Sequence, residues 1–151
     1  MWNSQKALVI GHWSIEKNKE IVFQQIKPHI MKLEELRVYK RADELSDKIW
    51  NLVLDMNHFE KDTLGKQLAR SADSISANIA EGFGRYFYKE NRQFCFYSRG
   101  SLLETKSWIN KCRRRNIISP ENFEQLIKEL EEVHISLNAY IKTIGKSPNH
   151  S

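Results

Sequence analysis

The chain has 151 residues, of which 40% are hydrophobic, and a formal net charge of +5 at pH 7. This length suits one domain, which would bury roughly 70% of the unfolded chain's surface. No run reaches the roughly 18 apolar residues of a membrane-spanning helix, and Ala7–Ile10 lacks the basic flank of a signal peptide. We therefore expect a cytoplasmic protein with no membrane partner.

Residues 1–30 show no domain-sized hydrophobic pattern. A short helix over Ile15–Ile26 fits the spacing of their apolar residues, and a proline follows it. We expect an N-terminal extension that is flexible or forms this short helix. Residues 31–145 then make up the domain, and residues 146–151 form a C-terminal tail.

Helical periodicity begins after this extension. Apolar residues recur on one helix face over about Tyr39–Met56, which predicts the first helix. A polar connector, Asn57–Asp62, follows, and its last residue or the next Thr can cap what comes after. The second predicted helix covers about Thr63–Glu81, and Gly82 and Gly84 end it.

The third predicted helix covers about Lys89–Arg115 and contains both cysteines. Cys95 and Cys112 would lie about 25 Å apart along it, so they cannot pair within one subunit. We expect free thiols in the core.

The fourth predicted helix has the clearest start signal in the chain. Ser119 can act as the cap, Pro120 occupies the first helical position and Glu121 lies in the first turn. An amphipathic pattern then continues to Gly145. No segment reads as a strand, so the sequence predicts an all-α fold, an up-down-up-down four-helix bundle.

A line of polar residues runs along the second predicted helix, at steps of three or four positions. Besides its apolar face and this polar line, the helix has a face of small residues, which allow another backbone to approach closely. We therefore predict that the helix is surrounded and that its polar line is partnered, since unpaired buried charge is costly. Together with one acid of the third helix, these residues would form a structural polar seam. Its members are Arg70, Ser74, Asn78, Glu81, Arg85 and Glu104.

The third predicted helix is cationic. Between Arg85 and Arg115 the chain has nine basic residues and two acids, whereas five acids and two lysines follow between Ser119 and Gly145. Cations spaced by seven positions with apolar residues between them suit a phosphate backbone, and Phe96 or Tyr97 could meet a base. The predicted nucleic-acid-binding residues are Arg92, Phe96, Arg99, Lys106, Arg113, Arg114 and Arg115.

Two explanations of these cations that involve no nucleic acid stay open. Basic residues at a helix C-terminus are favoured by the helix dipole, and cations on an outward face are ordinary. They could also pair with the acidic fourth helix, including that of a neighbouring subunit. In addition, Phe96 and Leu103 form an apolar row on the same face, which is typical of an interface and predicts a homo-oligomer.

Catalytic and metal-binding patterns are weak. Glu131-x-x-His134 is half of a di-iron motif, but the second half and the further glutamates are missing. An iron-binding or hydrolytic bundle around these two residues is therefore a minor hypothesis. The chain has no P-loop or nucleophile elbow. We expect no enzyme activity, no catalytic residues, no metal and no cofactor.

Two sequence blocks, Arg70–Gly82 and Arg99–Glu104, carry a resemblance to a known family. With Gly84–Tyr86 and Lys89–Asn91 they resemble the bacterial four helix bundle protein family. Members of that family are encoded in intervening sequences of 23S ribosomal RNA genes and are termed 23S rRNA intervening-sequence proteins. The resemblance covers roughly residues 31–145.

The resemblance implies a small helical bundle that assembles into a ring-shaped homo-oligomer, a pentamer, without known catalytic activity. A related branch serves as the accessory protein of a reverse transcriptase in diversity-generating retroelements. The expected partners are therefore a second copy of the chain, nucleic acid (structured RNA or an RNA–DNA hybrid) and a reverse transcriptase. Two alternatives stay open: an accessory subunit that docks the reverse transcriptase of a diversity-generating retroelement, and a protein-interaction ring with no nucleic-acid role.

Overall fold

The computed structural model describes residues 31–146. The extension predicted for residues 1–30 and the tail beyond Lys146 lie outside this part. The described chain is helical and contains no strand, which confirms the all-α prediction and its four long helices. They are α1 (Arg37–Leu54), α2 (Lys66–Phe83), α3 (Tyr88–Arg114) and α4 (Pro120–Thr143).

The predicted start of α4 is confirmed. The Ser119 hydroxyl accepts a hydrogen bond from the Asn122 backbone N–H at 3.1 Å, and Pro120 is the first helical residue. The break before it lies at Asn116, whose φ of 56° is left-handed. Asparagine tolerates that conformation better than most residues, because its short side chain hydrogen-bonds locally.

The connector between α1 and α2 differs from its prediction, because most of it is helical. Asn57 caps one turn, His58–Glu60, by accepting the Glu60 N–H at 2.9 Å. A π-helical turn, Lys61–Gly65, then leads directly into α2. The predicted cap at Asp62 or the following Thr is therefore wrong: the capping residue lies five positions earlier than Asp62.

The long helices close into a bundle. Each packs on the next one in the chain, and α4 returns to pack on α1. Their apolar faces meet in one core, whose burial is the main source of stability. The largest side chains with less than 2% exposure include Leu45, Ile49, Leu68, Ile75, Ile79, Leu102, Ile109, Leu130 and Leu137.

Small polar residues fix the register between α2 and α3. The buried Ser98 hydroxyl donates to the Ile75 carbonyl oxygen at 2.8 Å. The Thr105 hydroxyl donates to the Ser71 hydroxyl at 3.1 Å, also in the interior. No buried side-chain nitrogen or oxygen of the described chain lacks a hydrogen bond. Since unpaired buried polar groups are costly, these contacts allow one alignment of α3 and so fix which of its residues face outward.

Both cysteines are free and buried, as predicted. Burial raises the pKa of the Cys95 thiol to about 11 and also raises that of Cys112. Because the thiolate is the reactive form, these side chains behave as inert core residues.

Candidate nucleic-acid interface

The N-terminal half of α3 presents cations and an aromatic ring side by side. Arg92 and Arg99 are both exposed, and the Arg99 guanidinium lies 5.1 Å from the centroid of the Phe96 ring. Phe96 is 42% exposed. A cation over a ring face is attracted by the ring's quadrupole, which holds both groups in place. Tyr97, the other predicted base partner, is turned about 100° away and packs edge-on against Phe94 at 5.6 Å.

The row of cations spaced by seven does not stay on one exposed edge. Arg92 and Arg99 are exposed, but Lys106 and Arg113 are half-buried. Seven residues fall about 20° short of two full turns, so the row rotates toward α4 as it proceeds. The prediction that the four cations lie along one exposed edge is therefore wrong for Lys106 and Arg113. Arg114 and Arg115 are exposed at the end of the helix.

Lys106 is already paired. Its ammonium forms an ion pair with the Glu131 carboxylate of α4. The hydrogen bond and the charge of Lys106 hold the pKa of Glu131 below its usual value. Pairing with the acidic helix was one of the two explanations that involve no nucleic acid, and for Lys106 it occurs within one chain. Sequence reasoning missed this pair because it depends on the register between α3 and α4.

The remaining arginines of the predicted site form no ion pair with a carboxylate of residues 31–146. None of the ion pairs in residues 31–146 involves Arg92, Arg99 or the run Arg113–Arg115. Arg113–Arg115 also lie at the C-terminus of α3, where the helix dipole favours cations. The pKa of Glu121 is lowered by a backbone hydrogen bond and also by the charge of the half-buried Arg113. The exposed guanidinium groups of Arg92, Arg99, Arg114 and Arg115 remain available to an external anion.

The polar line on α2 lies on the outside of the protomer. The Ser74 hydroxyl donates to the Arg70 carbonyl oxygen at 2.7 Å, and the Asn78 amide donates to the Ser74 carbonyl oxygen at 2.7 Å. Glu81 and Arg85 form an ion pair one turn apart. The structure thus places four of these residues along α2 and Arg85 just beyond its end, with Arg70, Glu81 and Arg85 exposed.

Glu104 does not join this line. Its carboxylate accepts a hydrogen bond from the Trp108 indole at 3.3 Å, and no hydrogen bond or ion pair of the described residues links it to the line on α2. The contacts from α2 to α3 use Ser71 and Ile75 instead. These lie one position further along, about 100° round the helix. The predicted contact between Glu104 and the polar line of α2 is therefore wrong within one protomer. That the polar line contacts another copy of the chain stays a prediction.

His134 has an ordinary surface environment. Its Nδ1 lies 4.0 Å from a Glu131 carboxylate oxygen, and the other oxygen of that carboxylate is bound to Lys106. Within residues 31–146 no group of three or more His, Cys, Asp and Glu residues is arranged to hold a metal ion.

Comparison with known proteins identifies the family. A family model described as 23S rRNA-intervening sequence protein matches residues 34–139. The chain belongs to this family. A crystal structure of an S23 ribosomal protein family member of unknown function from Bacteroides thetaiotaomicron is also similar. It has a TM-score of 0.66 and 26% sequence identity, over 70% of this chain and 96% of that chain. No curated protein matches the chain.

The 23S rRNA-intervening sequence protein match includes all of α1, α2 and α3 and most of α4. Every predicted nucleic-acid-binding residue therefore lies inside the family domain. No described helix of this 23S rRNA-intervening sequence protein is both long and apolar enough to cross a bilayer.

Proposed function

We propose that this protein is a non-enzymatic homo-oligomeric bundle that binds structured RNA or an RNA–DNA hybrid through α3. The observation that carries the proposal is a set of four exposed guanidinium groups along α3 and at its C-terminal end that form no ion pair in the described chain: Arg92, Arg99, Arg114 and Arg115. Arginine suits this role because its planar group binds phosphate oxygens in pairs.

The acids of α4 oppose this role less than the sequence suggests, because several of them are neutralised within the protomer. Glu129 is bound by Lys48 of α1 at 2.7 Å, and Glu131 by Lys106. Glu132 lies 4.0 Å from Arg41. Since these pairs hold acids against neighbouring helices, α3 keeps a net positive outer surface that can attract phosphates.

The direct test is a titration of the full chain with a labelled structured RNA at several salt concentrations. If four or five arginines contact phosphates, log Kobs should fall against log salt with a slope of about −3 to −5. Absence of binding at about 50 mM salt, or an affinity independent of salt, would contradict the proposal.

The pairing of Lys106 leads to a prediction about two conservative variants. Arg99→Gln is expected to weaken RNA binding about tenfold at about 50 mM salt, because it removes one phosphate contact. Lys106→Gln should change the affinity by less than about threefold, because its ammonium is occupied by Glu131. Fluorescence anisotropy with one RNA measures both. Equal losses for the two variants would show that the ion pair opens to the ligand.

Acid should destabilise the fold through the same ion pairs. Burial raises the pKa of Glu129, but hydrogen bonds from Lys48 and Gln125 outweigh it, so the pKa lies below 4.5; that of Glu131 is lowered by Lys106. Because both pKa values are lower in the folded state, the two ion pairs stabilise the fold fully above pH 4.5. This stabilisation is lost as the pH falls through the pKa values of the folded state. The thermal midpoint should therefore decrease as the pH is lowered from about 6 to about 3, and this decrease should be smaller in Lys48→Met. Equal pH dependence in both proteins would contradict the assignment.

A protein-interaction ring is the second candidate, favoured by apolar surface outside the core. Leu103 is 55% exposed and Trp50 is 52% exposed. Trp50 borders a surface groove that Ala69 and Ala77 of α2 also line. Small residues beside an exposed tryptophan suit contact with a second copy, and a ring of five copies is the assembly that we propose. Mass measurement in low and high salt tests this. An assembly that persists at high salt fits these apolar contacts, dissociation at high salt favours charge-linked subunits, and a monomer in both contradicts the ring.

A further inference from the structure

The connector between α2 and α3, together with the first residue of α3, carries three consecutive exposed aromatic residues. Tyr86 is 90% exposed, Phe87 62% and Tyr88 68%. Large aromatic side chains normally contribute much of a protein's buried area, so a contiguous exposed set is a marker of an interaction site.

Each of these exposed rings contacts another residue. The Tyr86 and Phe87 ring centroids lie 5.0 Å apart with planes at 89°, an edge-to-face contact that leaves the faces of one ring free of the other. Tyr88 rests against the end of α4, since a Cβ added at Gly145 would lie 3.5 Å from its ring atoms. Gly145 has a φ of 79°, which favours glycine there. The position of Tyr88 is therefore restricted by the segment after α4, which lowers the entropic cost of binding there.

The surroundings of the rings are cationic. Lys89 and Arg92 are exposed and take part in none of the ion pairs of the described chain. The Arg85 guanidinium lies 4.6 Å from the Phe94 ring centroid and pairs with Glu81. Exposed rings beside free cations match a ligand that carries both flat apolar groups and negative charge.

The aromatic connector is continuous with the arginines of α3. Tyr88, Arg92 and Arg99 lie within about 40° of one another round the helix axis, and the rise from Tyr88 to Arg99 is about 16 Å. One strand lying along this edge would reach the connector without leaving the cationic surface.

We propose that Tyr86, Phe87 and Tyr88 stack on unpaired bases of a single-stranded segment whose phosphates lie along α3. This inference rests on the proposed function and adds to it the kind of nucleic acid that is read. Bases in a duplex are already stacked on one another, so only a loop, bulge or free end offers its base faces to the rings.

The test compares two single-stranded probes of about 15 nucleotides, an oligouridine and an abasic strand with the same phosphates. The variant is the full chain with Tyr86→Ala and Phe87→Ala. The matched control replaces two other exposed apolar residues, Phe59→Ala and Ile135→Ala, which are 74% and 70% exposed. The swap Tyr86→Phe with Phe87→Tyr keeps both rings.

The alanine pair is expected to weaken oligouridine binding roughly five- to hundredfold and to leave abasic-strand binding unchanged. The swap and the Phe59/Ile135 control should bind like the unaltered protein. Equal effects on the two probes, or none, would overturn the stacking inference while the proposed function stands. If the unaltered protein binds neither these strands nor structured RNA, the proposed function itself fails. A loss that comes with a change of oligomer mass by light scattering would instead make the connector a contact between copies and overturn the inference.

Discussion

Reversing the charge of four exposed arginines of α3 is expected to abolish RNA binding, with a loss of affinity of at least about a thousandfold at about 50 mM salt. Counterion release contributes about tenfold per phosphate contact at that salt, and a glutamate repels the phosphate that the arginine attracted. The measurement is fluorescence anisotropy on the full chain. The changes to glutamate are at Arg92, Arg99, Arg114 and Arg115.

A matched control separates position from net charge. Four other exposed cations lie on α1 and α4, and changing them to glutamate lowers the net charge by the same eight units. This control should retain most of the affinity, because attraction between charges is largely screened beyond about 14 Å at about 50 mM salt. Equal losses in both proteins would mean that bulk charge, not α3, attracts the RNA. The control positions are Arg37, Lys40, Lys128 and Lys142.

Gly82→Ala is expected to lower the free energy of unfolding by about 1–3 kcal/mol. Gly82 is buried where the end of α2 meets the start of α3, and an added Cβ would lie 2.9 Å from the Phe94 Cβ and 3.0 Å from the Asn91 carbonyl oxygen. A contact with backbone is not relieved by a side-chain rotation, so α2 and α3 must separate slightly. Chemical denaturation followed by circular dichroism measures the change.

Gly100→Ala provides the same chemical change in the opposite environment. Gly100 lies inside α3 with nothing within 4 Å of an added Cβ. Alanine should therefore stabilise the helix by about 0.5–1 kcal/mol, since glycine has more backbone entropy to lose on folding. Effects of the same sign in the two variants would contradict the described contact between α2 and α3.

The long helices could be predicted because their signals are local. Hydrophobic periodicity gave all four, and Ser119 with Pro120 placed the start of α4 correctly. The connector after α1 could not be placed as reliably. Asn57 and Asp62 are both acceptable caps by residue type, and the choice of Asn57 depends on the return hydrogen bond from its own N–H to Glu60 at 3.0 Å.

The candidate site was predicted less completely, because its details depend on contacts between helices. Composition identified α3 as the cationic helix, but its alignment with α4 decides that Lys106 meets Glu131. Likewise, a step of one residue on α2 decides that Ser71, not Arg70, faces α3. The aromatic run Tyr86–Tyr88 was visible between two predicted helices, yet periodicity cannot tell whether residues of a connector are covered.

Binding of RNA through α3 can be tested by ultraviolet crosslinking of a bound RNA to the full chain, with the crosslinked peptides mapped by mass spectrometry. We expect the crosslinked positions to lie between Arg85 and Arg115, at Phe96 and in the run Tyr86–Tyr88, where rings are exposed beside unpaired cations. Crosslinks confined to α1 or α4 would contradict binding through α3.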